Sequence, residues 1–261
     1  MIYGLYLSAT GIVTASHQQD VIANNLANTE TTGFKRELAL TEARRVESQA
    51  LAASGRSVGG RADPLLDNIG GGQFLAPSFF DQAQGNLVTS SNNMDVAFNG
   101  SGFIGVQDRG EFRLTRNGSL SLDKDGRLIT SSGQAVVDAA KQPIKLDMAG
   151  RKQNDLRIGE DGAITAAGLD APLAKIGLFE PTDAQTIKPV GGNVFAPTSG
   201  TQLVAAKGQL KSGMTEASNV DPATELTRLM ETQRLLEANA NLIRTQDQTL
   251  GRAVNDVGKI G

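Results

Sequence analysis

The residue groups in this chain that could support chemistry are few and short. Gly100-Ser-Gly-Phe-Ile-Gly105 has the glycine spacing of a loop that cradles a dinucleotide pyrophosphate, with an acid, Asp123, downstream. That chemistry needs a helix N-terminus directly after the glycines to receive the phosphates. Here they run into the strand-like Phe-Ile-Gly-Val-Gln and then an Asp-Arg-Gly turn, so they read as hairpin glycines. Asp123-Lys-Asp-Gly126 carries the carboxylates of a calcium loop. Its glycine stands fourth rather than sixth and no glutamate closes the loop, so a turn is the better reading. His17 is the one histidine and falls in a helical stretch, where an interfacial role is expected rather than that of a general base. The phosphate-binding Gly-x-x-x-x-Gly-Lys-Ser/Thr pattern does not occur. No catalytic, cofactor-binding or metal-ligating residue is assigned, and no cofactor is expected.

The densest polar cluster is different in kind. Asn24, Asn25 and Asn28 lie in the run Asp-Val-Ile-Ala-Asn-Asn-Leu-Ala-Asn-Thr-Glu-Thr-Thr-Gly-Phe-Lys-Arg, from Asp20 to Arg36. Asparagine is a mediocre helix former, but at a helix end its amide bonds free carbonyls and N–H groups. Gly33, a few positions on, suits a left-handed or turn backbone. One reading is a helix cap and turn. The other is a polar register lock against a neighbouring helix, as a buried asparagine acts in a coiled coil. The residue types leave both open, along with whether the amides contact their own chain or the next.

The elements that must position this cluster are helices at the two ends and strands between. From Gly4 to about Asn28, Leu5, Ile12, Ala15, Ile22 and Leu26 follow a helical spacing, and only Asp20 is charged. A helix without a charged face is usually covered by protein on several sides. At the other end Asp221 is a good N-cap and Pro222 fits the first helical position. Leu229, Leu236, Ile243, Leu250 and Val257 then recur every seven residues, and Gly258 ends the run. Leu226, Gln233, Ala240, Asp247 and Val254 are the expected companion row of a coiled-coil-like seam. Glu225, Arg228, Glu231, Arg234 and Glu237 alternate in sign, as solvated or inter-subunit pairs would.

Between the helices, residues 39–84 are glycine-rich with little periodicity, and read as an extended or partly disordered arm. From Gly85 to Gly213 the turn dipeptides Asn99-Gly100, Asn117-Gly118, Asp125-Gly126 and Asp161-Gly162 punctuate short strands. The expected fold is therefore α+β: long terminal helices that pack together and a central all-β, hairpin-rich domain. The expected division is 1–38, 39–84, 85–215 and 216–261.

Composition removes several functional classes. A chain of 261 residues with net charge −3 has the length for a sizeable core and lacks the basic footprint of a nucleic-acid binder. It has no cysteine, so neither disulfides nor thiolate metal sites arise. The first basic residue is Lys35, so a secretory n-region is missing and any export is expected without a cleaved signal. Residues 1–19 are too polar to span a membrane, and no direct membrane insertion is expected.

Three stretches together resemble a known family. Ala23 to Lys35 is similar to the N-terminal signature of bacterial flagellar axial proteins, the rod and hook subunits, through Asn24, Asn25, Asn28, Thr32, Gly33, Phe34 and Lys35. Glu216 to Leu250 resembles their C-terminal signature, with Ser218-Asn219-Val220, Glu225, Gln233-Arg234, Glu237, Asn239 and Asp247 in order. Asn99 to Thr130 resembles their β domain. The resemblance implies a basal-body rod subunit in the periplasm. It also implies export, unfolded, by the flagellar type III apparatus. Its partners would be further copies of itself, other rod or hook subunits and that apparatus. The length and the C-terminal ending favour the proximal rod over the distal rod or hook. One departure is Leu236, where the family often places an aromatic residue. Assembly contacts are expected at Asn24, Asn25, Leu26, Asn28, Thr32, Gly33, Phe34, Leu229, Gln233, Leu236, Ile243 and Leu250. The competing readings are a secreted coiled-coil adaptor or adhesin, and a nucleotide enzyme built on Gly100–Gly105.

Overall fold

The computed structural model describes residues 2–43, 71–147, 155–166, 171–183 and 186–257. Its fold is α+β and divides into two units. The first comprises Met1–Leu26, Glu37–Phe80 and Asp221–Gly261; the second comprises Ala27–Arg36 and Asp81–Val220.

The first unit is built on two terminal helices, α1 (Ile2–Ala27) and α2 (Pro222–Val257). At 1.5 Å per residue they are roughly 39 and 54 Å long. The start of α2 follows from its sequence. Asp221 accepts hydrogen bonds from the amides of Ala223 (3.4 Å) and Thr224 (3.2 Å), and Pro222 has no N–H to satisfy. The two helices pack together. A Cβ placed on Gly4 would lie 2.6 Å from Nε2 of Gln246, and one on Gly11 would lie 2.9 Å from Nδ2 of Asn239.

Leu229, Leu236, Ile243 and Leu250 are half-buried, as a row facing a partner. The companion row differs from the expected one. Leu226, Gln233, Asp247 and Val254 are exposed and only Ala240 of that row is half-buried, whereas Glu225 and Thr232 are buried and Asn239 and Gln246 half-buried. The physical reason lies on α1, where glycines leave room for amides at positions that hydrophobic periodicity assigns to aliphatic side chains. The side chain of Val257, together with Gly258, lies outside the described residues.

Four short strands complete the first unit: β1 (Glu37–Leu38), β2 (Thr41–Ala43), β3 (Gln73–Leu75) and β4 (Phe79–Phe80). They pair antiparallel, β1 with β4 and β2 with β3. Gln73 lies against α1, its Oε1 accepting from the Thr14 hydroxyl at 3.0 Å. Most of the expected arm, residues 44–70, lies outside the described residues.

The second unit holds β5 (Leu87–Thr89), β6 (Val96–Asn99), β7 (Phe103–Asp108), β8 (Glu111–Thr115), β9 (Leu120–Leu122), β10 (Leu128–Thr130) and β11 (Ala135–Val136). It continues with β12 (Leu156–Ile158), β13 (Ala163–Ala166), β14 (Ala174–Lys175), β15 (Leu178–Pro181) and β16 (Ile187–Pro189). It ends with β17 (Val194–Pro197), β18 (Leu203–Ala205), β19 (Gln209–Ser212) and β20 (Met214–Glu216). Among the described residues nine strands form one sheet, in the order β16-β17-β8-β7-β11-β10-β9, with β15 pairing both β7 and β18. A three-stranded sheet β12-β13-β14 and the pairs β19-β6 and β20-β5 accompany it.

Turn chemistry sets these registers. β7 and β8 pair Asp108 with Glu111 across a two-residue loop, Arg109-Gly110, with φ of 49° and 87°. That is the double left-handed conformation favoured in tight hairpins. Alternation then fills the core: Val96, Phe98, Ile104, Val106, Leu120, Leu128, Leu156, Ile164 and Leu210 are all buried. Gly100–Gly105 leads into β7, not into a helix, and Asp123–Gly126 is a turn between β9 and β10. Neither stretch has the geometry of a nucleotide or calcium loop.

Candidate assembly junction

In the second unit the stretch after α1 is wired into the β structure by a short run of residues. Thr31 bonds back to Asn28 through its amide (3.2 Å to the carbonyl) and its hydroxyl (3.0 Å to Oδ1), which closes the turn. Gly33 has φ +69°, and a Cβ there would sit 2.5 Å from the Arg116 carbonyl carbon. Glycine is required on both counts. Its amide donates to the Glu216 carbonyl at 2.7 Å. The Thr32 carbonyl accepts from Nδ2 of Asn193 (2.6 Å), and Asn193 in turn is held through its own carbonyl by the Thr115 hydroxyl (2.8 Å).

Lys35 is the centre of the junction. Its Nζ lies 2.6 Å from Glu216 Oε1 and donates to the Ala83 carbonyl at 2.7 Å. Arg116 Nη1 reaches Glu216 Oε2 at 3.2 Å, and the Gly85 amide donates to Oε1 at 2.9 Å. The three side chains are 2%, 4% and 0% exposed for Lys35, Arg116 and Glu216. Arg116 also donates to the Gly100 carbonyl (2.9 Å) and lies between the rings of Phe98 and Phe103, about 5 Å from each centroid. Burial pushes the Lys35 ammonium below its ordinary range, and the Glu216 carboxylate opposes that shift. One buried carboxylate thus serves two buried cations drawn from distant parts of the sequence.

Asn219 fastens the same place from the C-terminal side. Its Oδ1 accepts the Arg36 amide at 2.7 Å, and its Nδ2 donates to the carbonyls of Asp81 (2.9 Å) and Ala83 (3.0 Å). Arg36 pairs with Asp81 at 3.0 Å. The entering and leaving chains are therefore tied to each other as well as to the strands.

In the first unit Asn25 is buried at 1% exposure. It brackets the backbone of Glu37, donating to its carbonyl (2.8 Å) and accepting from its amide (2.9 Å). Its Nδ2 also lies 3.4 Å from Glu225 Oε2 on α2. This amide serves its own chain. Asn24 is exposed; Leu26, Asn28, Thr32 and Phe34 are half-buried and Gly33 is buried. The residues expected at contacts therefore fall into three places: the Asn25 bracket, the loop around Gly33, and the α2 row Leu229, Leu236, Ile243 and Leu250. Gln233 joins none of these and is exposed.

Sequence reasoning missed Arg116 and Glu37 as members of these networks, and Glu216 and Asn219 stood out only within the C-terminal signature. Lys35 likewise was visible only as part of the N-terminal signature. The one local signal was a lysine placed directly after a Gly-Phe turn.

The chemistry of the junction is structural. Among the described residues no group of three or more His, Asp or Glu is placed to hold a metal ion. No described helix is long and apolar enough to cross a membrane. Two terminal helices, a hairpin-rich β unit and, within that unit, an internal salt-bridged junction define an α+β class of protein.

Comparison with known proteins gives that class its family. Models described as flagella basal body rod protein, flagellar hook protein FlgE/F/G D1 domain and flagellar basal body rod FlgEFG protein C-terminal match residues 5–35, 97–166 and 211–256. The chain is 31% identical to the flagellar basal-body rod protein FlgF of Caulobacter vibrioides, covering 98% of each chain. It is 32% identical to FlgG of Buchnera aphidicola subsp. Schizaphis graminum (96% of this chain, 98% of the relative) and 29% identical to FlgG of Bacillus subtilis (98% and 99%). This chain belongs to the flagellar basal-body rod protein family, a family of non-enzymatic structural components.

Proposed function

We propose that the chain is a proximal-rod subunit that polymerises through its terminal-helix unit and transmits torque along the rod. On this reading it reaches the periplasm unfolded, through the flagellar type III apparatus. The observation that carries the proposal is the apolar surface the helices leave uncovered. On α2, Leu226, Met230, Leu235, Leu242 and Val254 are between 47% and 70% exposed; on α1, Tyr3, Tyr6 and Val13 are between 39% and 58% exposed. That much apolar surface left exposed on two helices suits a polymer subunit, which buries it against its neighbours. The α1–α2 pair acts as an antiparallel coiled-coil-like strut, and Asn24, Leu26, Phe34 and Gln233 contribute to contacts with other subunits.

The test is to replace Leu235 and Leu242 together with glutamate. Both are exposed, so the fold should persist while the rod does not assemble. Swimming should be lost, and the protein should be missing from purified basal bodies. Normal swimming would refute the polymerisation reading. Mass spectrometry of basal bodies separated into proximal and distal fractions tests the placement, and recovery in the distal fraction alone would overturn it.

A further inference from the structure

We infer that the two helices carry a four-rung key that fixes their register and direction and disfavours pairing of α2 with another α2. Four α1 residues lie seven apart: Gly4, Gly11, Gln18 and Asn25. Four α2 residues, read in the opposite direction, also lie seven apart: Gln246, Asn239, Thr232 and Glu225. Three of the four are in contact with their counterparts, and the fourth pair shares a groove. Gln246 is seated on Gly4 and Asn239 on Gly11, at the distances given above. Gln18 and Thr232 line one groove, of about 240 Å³. Asn25 lies 3.4 Å from Glu225.

The key discriminates in both directions of slip. Moving α2 by one heptad one way sets Ala253 on Gly4 and Thr232 on Asn25, so the Gly4 rung loses its amide and the Asn25–Glu225 contact is broken. Moving it the other way places Asn239 on Gly4 and Thr232 on Gly11, which fit, but it takes Glu225 away from Asn25. Both slips break the Asn25–Glu225 contact, and one also leaves Gly4 without its amide. Pairing between two copies of α2 fails for a related reason. The row Glu225, Thr232, Asn239 and Gln246 contains no glycine to seat an amide, so two such rows would meet polar against polar. This matters because the exposed leucines of α2 would otherwise favour such pairs. The end rung is the least satisfied, since Oε1 of Gln246 is buried and has no hydrogen-bond partner among the described residues. Specificity is thus concentrated at Gly11–Asn239 and Asn25–Glu225.

The chain has no cysteine, so introduced pairs report on register cleanly. In the full chain, Gln18→Cys with Thr232→Cys should form an intramolecular disulfide under mild oxidation. Adding Asn239→Leu and Gln246→Leu keeps good helix formers on α2. The intramolecular fraction should then fall about tenfold, within the range of couplings between contacting residues. Covalent dimers through Thr232→Cys should appear instead. Gly11→Asn alone should do the same, and Gly11→Asn combined with Asn239→Gly should restore the intramolecular bond by moving the amide to the other helix. The inference fails if the disulfide forms equally well without the two amides, or if it never forms in the otherwise unaltered chain. Should the leucine variant lose helicity, the reciprocal exchange decides: failure to restore the bond overturns the key.

Discussion

Replacing Lys35 with methionine tests whether the junction holds a surplus of positive charge. Breaking a buried ion pair by removing one partner costs about 3–5 kcal/mol when the survivor is left alone. Here neither survivor is. Glu216 Oε1 keeps the Gly85 amide, Oε2 keeps Arg116, and the Ala83 carbonyl keeps Nδ2 of Asn219. Methionine matches the length of the lysine stem and carries no desolvation cost. The expected loss is therefore that of one charged hydrogen-bonded contact, about 2 kcal/mol. Glu216→Gln is a different perturbation. It leaves two cations, each at most 4% exposed, facing an amide, and should cost about 4 kcal/mol.

Thermal unfolding followed by far-ultraviolet circular dichroism at a strand wavelength reads the second unit. The only two tyrosines, Tyr3 and Tyr6, lie on α1 and there is no tryptophan, so tyrosine fluorescence reads the first unit separately. At about 2–4 °C per kcal/mol for a domain of this size, Lys35→Met should lower the strand transition by about 4–8 °C and Glu216→Gln by about 8–16 °C. A Lys35→Met loss equal to or larger than that of Glu216→Gln would refute the reasoning, because it would make Lys35 the indispensable partner.

Three further outcomes follow from the same geometry. Gly33→Ala forces a side chain into a left-handed backbone against the Arg116 carbonyl and, with the bonds of Gly33, Arg36 and Thr32 lost beside that of Lys35, should cost about 5 kcal/mol, read as a lowered urea midpoint of the strand signal. Asn25→Leu strips the bracket from both backbone groups of Glu37. It should destabilise the first unit by about 2–4 kcal/mol, seen in tyrosine fluorescence. An unchanged transition would show that the amide serves the assembly and not the subunit. The Asp221 carboxyl is held below its ordinary 3.8, chiefly by the Thr224 hydroxyl and then by the amides of Thr224 and Ala223. Its folded pKa is the lower one, so its contribution is complete above pH 3.8 and is lost as pH falls through the folded value. Asp221→Ala should flatten that acid limb of helix stability, measured by circular dichroism between pH 2 and 5.

What was legible in the sequence is what local chemistry controls. Asp221-Pro222 announces the start of α2 because capping involves only the next three residues. Arg109-Gly110 and Asp125-Gly126 announce turns because a positive φ selects residue types on the spot. The leucine row of α2 was legible for the same reason: its period is internal to one helix. Its companion row was not, because the choice between Leu226 and Glu225 depends on what the other helix presents. A glycine contributes nothing to a hydrophobic pattern, yet Gly4 and Gly11 are what admit Gln246 and Asn239. The Lys35–Glu216 pair was illegible on still simpler grounds. Its partners are 181 positions apart, and nothing around either residue marks it as buried.

The junction also bears on how the second unit completes itself. A lysine, an arginine and a glutamate are costly to bury singly and become tolerable only together. Arg116 and Glu216 belong to the β structure, while Lys35 enters with the segment that follows α1. Until that segment docks, Glu216 lacks one cation, Asn219 lacks the Arg36 amide, and Asn193 lacks the Thr32 carbonyl. Each of these contacts is weak to moderate alone, and each needs Gly33 in its left-handed turn to bring the backbone within reach. Docking is therefore cooperative: a chain that places Gly33 correctly gains all of them, and one that misplaces it gains none. Gly33→Ala should accordingly resemble loss of the whole segment, whereas Lys35→Met should resemble loss of a single contact, and the gap between the two measures that cooperativity directly.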